Sequence, residues 1–382
     1  MNEASEPGFV FTTHGSGKMM RPAAILRKVA LASALGVCLS VVSCSVGPVM
    51  TTDLQHHPGA EFMDPVKHPV IIMPAKVGDK TYTLIRRDNA TIFLAKPERV
   101  KYEWLRYEFA DTIAVRATLP NGRSYVVYLD TGFGGYLAVN DLIVREAGLP
   151  IYPMGKDAAS RGFTGMCYLP WIEIGKMGIV NPPCDYLQVH WELQFIGIPL
   201  WQEKWVIMGL RLLREFPYIA FDNVRQEVVF SPEGPFEPTD PGNWSRFPFQ
   251  IAQDKTGKLR ITVHMPVAGK VRAVDFDTCG GDALLVRPGA WREIATRVKA
   301  DAPTDGQFAS AQLGWLPCKR TVARDLEVAS LRFATARVQI LPEDSPYASG
   351  IDCQIGMGFF KDTVVVIDFE DRWLWVKRNP RR

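Results

Sequence analysis

Residues 125–140 read YVVYLDTGFGGYLAVN. An apolar run, Tyr125 to Leu129, delivers an aspartate, Asp130, and Thr131-Gly132 follow at once. A carboxylate carried to the end of such a strand is costly unless something uses or neutralises it. Asp and Gly are also ordinary turn residues, so a solvated turn would satisfy the motif as well. A second copy of the stretch bears on the choice. Residues 271–286, VRAVDFDTCGGDALLV, again alternate apolar residues into Asp277-Thr278, and a Gly-Gly pair follows nearby in both copies.

The match extends in both directions. PNGRSYVVYLDTG and VAGKVRAVDFDTC each place a turn and a strand before the aspartate. After it, NDLIVREAG reads as a short helix with Asn140 or Asp141 as N-cap and Gly148 as stop, and RPGAWREIATRV as another with Pro288 near its first turn. Further on, VIMGLRLLREF and CQIGMGFFKD each bring an apolar segment to a glycine followed by a short helix. The distance from Asp130 to Gly209 is 79 residues, and so is the distance from Asp277 to Gly356. Each copy closes with two strands around a turn, YIAFDNVRQEVVF and VVVIDFEDRWLWV. A period of 147 residues is too long for a solenoid and predicts two similar β lobes in tandem.

On these residues the chain resembles the aspartic proteases, both the retroviral type and the two-lobed pepsin type, over roughly 108–377. The resemblance implies an all-β fold of two acid-protease-like lobes with a few short helices and a cleft between them. In that family each lobe presents Asp-Thr/Ser-Gly at a strand end, with a hydrophobic-hydrophobic-Gly segment crossing behind it. Asp130-Thr131-Gly132 matches the first motif, with Ile207-Met208-Gly209 as its partner. Asp277-Thr278 matches the second, but Cys279 stands where Gly is expected, and Gln354-Ile355-Gly356 departs from the apolar pattern. Phe133-Gly134-Gly135 and Gly280-Gly281-Asp282 also replace the usual continuation, whose Ser would support the outer side of each aspartate. The implied catalytic residues are Asp130 and Asp277. Thr131, Gly132, Thr278 and Cys279 would support the dyad, the two threonines by bonding across the lobe interface. Two carboxylates face to face hold one proton between them and work as acid and base on a water. No metal or cofactor is implied.

By the same resemblance a hairpin flap lies between each motif and its apolar-Gly segment. SRGFTGMCYLPWIEIG, residues 160–175, is the expected first flap, with Phe163 and Tyr168 as cleft-lining aromatics or as hairpin packing. GQFASAQLGWLPCKRTV, residues 306–322, is the second. The aromatic stretch HWELQFIGIPLWQEKWV, residues 190–206, reads as core or lobe–lobe packing ahead of cleft lining. PVIIMPAKVGDKTYTLI reads as a hairpin and DNATIFLA as a further strand, an extension packed on the first lobe.

The whole chain agrees with a globular β protein. Of 382 residues 47% are hydrophobic, with 31 Gly and 28 Pro, and the net charge of +3 is too balanced to point to nucleic acid. At the N-terminus Arg21, Arg27 and Lys28 precede the apolar VALASALGVCLSVVS, which ends in small residues before Cys44. Val41 to Cys44, VVSC, resembles the lipobox of bacterial lipoproteins, in which the cysteine is lipidated and becomes the mature N-terminus. An uncleaved membrane anchor is the other reading of this run. The expected division is a lipoprotein-type signal at 1–43, a tether and β extension at 44–108, and lobes at 109–236 and 237–382. The expected location is the periplasmic side of the cell envelope, anchored by lipid. Five cysteines remain after the signal and Cys44, namely Cys167, Cys184, Cys279, Cys318 and Cys353; Cys167 and Cys184 are the nearest pair in sequence. The five show no CxxC spacing, so structural zinc is not expected. The expected partner is a peptide or protein substrate, bound by a monomer that carries both lobes in one chain. The competing function is a catalytically silent fold of this type that binds peptides or proteins. A serine or cysteine hydrolase finds no Gly-x-Ser-x-Gly elbow and no triad context for His190 or His264.

Overall fold

The computed structural model describes residues 44–50, 71–77, 80–87, 90–94, 96–107, 110–152, 165–187, 189–195, 198–253, 259–310, 314–345 and 350–377. The described chain is dominated by β-strands gathered into two large sheets and one small one, with short helices between them. Among the described residues no helix is long and apolar enough to cross a membrane.

Both lobes are built around the same three-strand crossing. In the first, the strand Ser124–Asp130 runs parallel to Trp205–Gly209, with Asp130 opposite Gly209. Trp205–Gly209 is also antiparallel to Leu137–Asn140. The later strand is thereby inserted between the two that flank the aspartate turn. In the second lobe Lys270–Asp277 runs parallel to Cys353–Gly356, with Asp277 opposite Gly356, and Cys353–Gly356 is antiparallel to Ala283–Val286. The equal 79-residue spacing in sequence is this shared register. The crossing is tight enough to require glycine. A Cβ on Gly209 would sit 2.8 Å from the Phe133 carbonyl oxygen, and one on Gly356 would overlap the Gly280 carbonyl.

The local signals act as their chemistry dictates. Asn140 caps the helix Asp141–Ala147 by accepting from the Ile143 N–H, and Gly148 ends it with φ +62°. Pro288 opens the helix Pro288–Ala295. The turn before the second aspartate strand has positive φ at Ala268 and Gly269, and joins Val267 directly to Lys270. Positive φ at both central positions matches strand twist in a two-residue hairpin.

A strand layer joins the lobes. The hairpin Tyr218–Asp222/Glu227–Ser231 meets the hairpin Val364–Asp368/Trp373–Lys377 edge to edge, with Ile219 opposite Ile367 and Phe221 opposite Val365. Trp244–Gln253 extends one side and Glu98–Lys101 the other. Ile219, Phe221, Phe230, Ile367 and Leu374 are wholly buried beneath it. Burial of each such side chain contributes about 1.5–3 kcal/mol, so this layer holds the two crossings in a fixed relation.

The N-terminal region forms strands, as its composition suggests. Ile71–Val77 pairs with Lys80–Arg87, which pairs with Ala90–Leu94, and this meander joins the first-lobe sheet through Met177–Val180. Two expectations are corrected. Residues 160–175 do not form one hairpin. Gly165–Tyr168 pairs with Pro183–Leu187 and Trp171–Ile174 with Met177–Val180 in one continuous register, carried across the prolines by the Leu169 N–H to the Pro182 carbonyl and the Asn181 N–H to the Pro170 carbonyl, and Tyr152 bridges Met166. Residues 165–174 are thus one arm of a hairpin that turns at Gly175-Lys176, not a hairpin with its tip among them. Phe163 lies outside the described residues. The second flap has the expected arms, Thr304–Ser310 and Gly314–Val328, with Ser310 opposite Gly314. The second correction concerns residues 190–206. Ile198, Leu200 and Trp201 are not core residues: they are 62%, 49% and 47% exposed.

Candidate active site

Each aspartate stands at the last position of its strand, where the chain turns and the backbone N–H groups that follow point back at it. Asp130 Oδ1 accepts from the Gly132 N–H at 2.7 Å and from the Phe133 N–H at 3.0 Å. Asp277 Oδ1 accepts from the Cys279 N–H at 2.9 Å. The Cys279 substitution therefore keeps the backbone donor that the motif needs.

Between the lobes the two threonines form a closed lattice. The Thr131 N–H donates to Thr278 Oγ1 at 2.9 Å, and the Thr278 N–H donates to Thr131 Oγ1 at 3.0 Å. Thr131 Oγ1 donates in turn to the Phe276 carbonyl at 3.1 Å, and Thr278 Oγ1 to the Leu129 carbonyl at 2.6 Å. Both side chains are wholly buried. Each hydroxyl is used as donor and acceptor at once, which only Ser or Thr can do at this size. Thr112, also buried, donates to the Thr278 carbonyl at 3.4 Å and fastens the platform to the strand Ala110–Thr118.

This lattice brings the two turns against each other. A Cβ on Gly132 would lie 2.6 Å from Asp277 Cγ and 2.8 Å from its Oδ1. Glycine is required there because the turn of one aspartate abuts the carboxylate of the other.

The second aspartate has a side-chain donor that the sequence alone did not assign. Gln354 Nε2 donates to Asp277 Oδ2 at 3.0 Å. The polar residue that breaks the apolar pattern is thus aimed at the carboxylate and is almost wholly buried. The anomaly at 354 was the visible signal; its target was not. Thr112 gave no signal in sequence.

Cys279 lies near both aspartates. Its Sγ is 3.5 Å from the Leu129 carbonyl oxygen. Burial, followed by the nearby Asp130 and Asp277 carboxylates, pushes the thiol well above its ordinary range. A thiol is nucleophilic and easily oxidised only as thiolate. Thiolate chemistry is therefore disfavoured at this position. The other thiols are buried, and Cys167 and Cys184 stand opposite each other on neighbouring strands. The Tyr168 ring packs edge-to-face against Tyr152, at 6.2 Å between centroids. Cys44 begins the strand Cys44–Met50. Among the described residues no group of three or more His, Cys, Asp or Glu is arranged to hold a metal ion.

No protein-family model matches the chain, and no curated protein matches it. Among solved structures, similarity extends to an aspartic proteinase from Irpex lacteus, with 12% identity, coverage of 74% of this chain and 98% of that one, and a TM-score of 0.42. Basic 7S globulin from soybean aligns at 10% identity, over 74% and 94% of the two chains, with a TM-score of 0.38. Conglutin gamma, a basic 7S globulin from lupine seeds, aligns at 11% identity, over 74% and 96%, with a TM-score of 0.41. The acid-protease-like fold is identified from strand order, register and the paired crossings described above.

Proposed function

We propose that the protein is an aspartic endopeptidase in which Asp130 and Asp277 act as one acid–base unit. The supporting observation is the reciprocal threonine lattice, which sets the Gly132 turn directly against the Asp277 carboxylate. A fold that merely binds peptide has no need of two partly buried carboxylates oriented by backbone donors and locked across a lobe interface. Such a pair holds one proton and titrates together. The ionised member takes a proton from a water, which attacks the peptide carbonyl. The protonated member hydrogen-bonds the carbonyl oxygen and then passes its proton to the leaving amine. The four backbone and amide donors hold the carboxylates in place, so little reorganisation is needed when charge moves. The chain reads as held at the envelope membrane through Cys44, facing the periplasm.

The test is binding of a peptide that mimics the tetrahedral intermediate, measured beside cleavage of a peptide library. Asp130→Asn and Asp277→Asn should each lower cleavage by about 10²–10⁴-fold and abolish tight binding of the mimic while leaving the circular dichroism of the fold unchanged. Parent protein that neither cleaves peptides nor binds the mimic, yet retains peptide affinity, would instead establish the catalytically silent binding function.

A further inference from the structure

The three-stranded sheet formed by Cys44–Met50, Val189–Phe195 and Ile198–Gln202 buries the face that a sheet ordinarily exposes. Its inward face is polar. His190 Nδ1 lies 2.9 Å from Asp141 Oδ1 and its Nε2 3.4 Å from Glu192 Oε2; all three residues are at most 5% exposed. Gln202, the register partner of Glu192, donates to it at 3.0 Å, and Gln194 donates to it as well. These amides hold Glu192 below the usual carboxylate range.

Strand alternation puts Leu193 on the opposite face, and its register partner is Trp201. Ile198 stands opposite position 195 on that same face, and the irregular register at Leu193/Gln194 leaves Leu200 as an extra, protruding residue. Three large apolar residues within four positions are thus turned to solvent. Contiguous exposure of this kind marks a contact surface.

The chain itself indicates what covers it. The apolar run of residues 29–42 joins the described fold at Cys44, which stands opposite Phe195, and Phe195 stands opposite Ile198. At about 4.8 Å between strands, Ile198 lies about 10 Å from the residue through which the chain would meet a bilayer. Trp with aliphatic neighbours suits the headgroup boundary, where the ring meets chains on one side and water on the other. One acyl chain alone gives only marginal, reversible attachment, so a second apolar contact beside it strengthens the hold. We infer that the outer face of this sheet, carried by Ile198, Leu200 and Trp201, rests in the surface of the membrane to which Cys44 tethers the chain. The inference depends on the proposed anchorage and adds to it a second point of contact that fixes the orientation of the body.

The experiment places the full-length protein in vesicles of phosphatidylethanolamine and phosphatidylglycerol that carry lipids brominated near the headgroup. Parent fluorescence should be quenched, and Trp201→Phe should lose about half of that quenching or more. Equal quenching in the two proteins overturns the inference, while loss of vesicle binding in Cys44→Ala, measured by flotation, shows separately that the anchorage stands. A parent that does not bind vesicles overturns both. Shielding of Trp201 from acrylamide that grows with protein concentration in the absence of vesicles assigns the face to a second copy and also overturns the membrane contact.

Discussion

The two aspartates arise from the same strand crossing but are finished differently. Position 207, two residues before the crossing glycine of the first lobe, is isoleucine. It is buried in an apolar cluster with Ala114, Tyr128, Ala138 and Trp205, against which Phe133 and Cys279 pack. The corresponding residue of the second lobe is Gln354, whose amide reaches Asp277 Oδ2. Backbone register repeats because it depends on strand length and two glycines. The side chains that surround each carboxylate need not repeat, and here they differ in polarity. A symmetric scaffold thus presents two unequal carboxylates, which suits a pair whose members take different roles in one reaction.

The largest effect should come from breaking what the halves share. Thr131→Val and Thr278→Val each remove a hydroxyl that both donates and accepts, leaving buried backbone groups without partners. Each should cost about 2–4 kcal/mol in urea unfolding and about a hundredfold in cleavage, since small misplacements of reacting groups are that expensive. The two losses should be similar, and Ser at either position should restore most of both. Markedly unequal losses would show that the lattice is less reciprocal than its geometry.

Next comes the feature that the halves do not share. Gln354→Leu removes the side-chain amide donor of Asp277 and should lower cleavage about tenfold, roughly the value of one hydrogen bond to a charged group, with little change in unfolding. Gln354→Glu should be worse, because it sets a like charge beside the carboxylate. An unchanged rate in Gln354→Leu would make the amide a packing residue only.

A smaller effect is expected at Cys279. Cys279→Gly should cleave as fast as the parent or faster, since the backbone donor to Asp277 Oδ1 is kept and the side chain that crowds the aspartate turns is removed. In the parent, burial and the two carboxylates keep the thiol protonated well above neutral pH. Iodoacetamide at pH 8 should therefore leave Cys279 unmodified in the folded protein and modify it after unfolding, as read by peptide mass mapping. Rapid labelling of the folded protein would mean that the carboxylates are not beside it.

The smallest effect belongs to Glu203, next to the first half of the site. It accepts from Tyr128 at 3.2 Å, and burial raises its carboxyl above the usual range. A folded-state value above the unfolded one means that ionisation penalises the fold. The penalty is absent below the ordinary carboxylate range and grows as pH rises through and beyond it. Glu203→Gln should therefore raise Tm at pH 7 and leave it unchanged near pH 4. A gain at both values would point to packing instead of charge.

The sequence by itself determined the tandem lobes, because an apolar strand that ends in Asp-Thr is legible locally and a repeat can be checked by counting. Asp130, Asp277 and both threonines were legible on the same ground, as were a helix cap at Asn140 or Asp141, of which the structure selects Asn140, and the glycines at the crossings, whose backbone demands leave few alternatives. The partner of each side chain was decided only by the tertiary structure. Gln354 was visible as an irregularity, but its amide acquires a target only when a strand from 77 residues away in the chain lies parallel beside it. That residues 165–174 form one arm of a hairpin turning at Gly175-Lys176 depended on which strand they found, a choice that local pattern does not contain. The aromatic stretch at 190–206 shows the same limit from the other side. Alternation along Val189–Phe195 marks two faces and says nothing of which is inward. That was settled by Asp141, whose carboxylate gives the polar face a buried partner and so turns Trp201 outward.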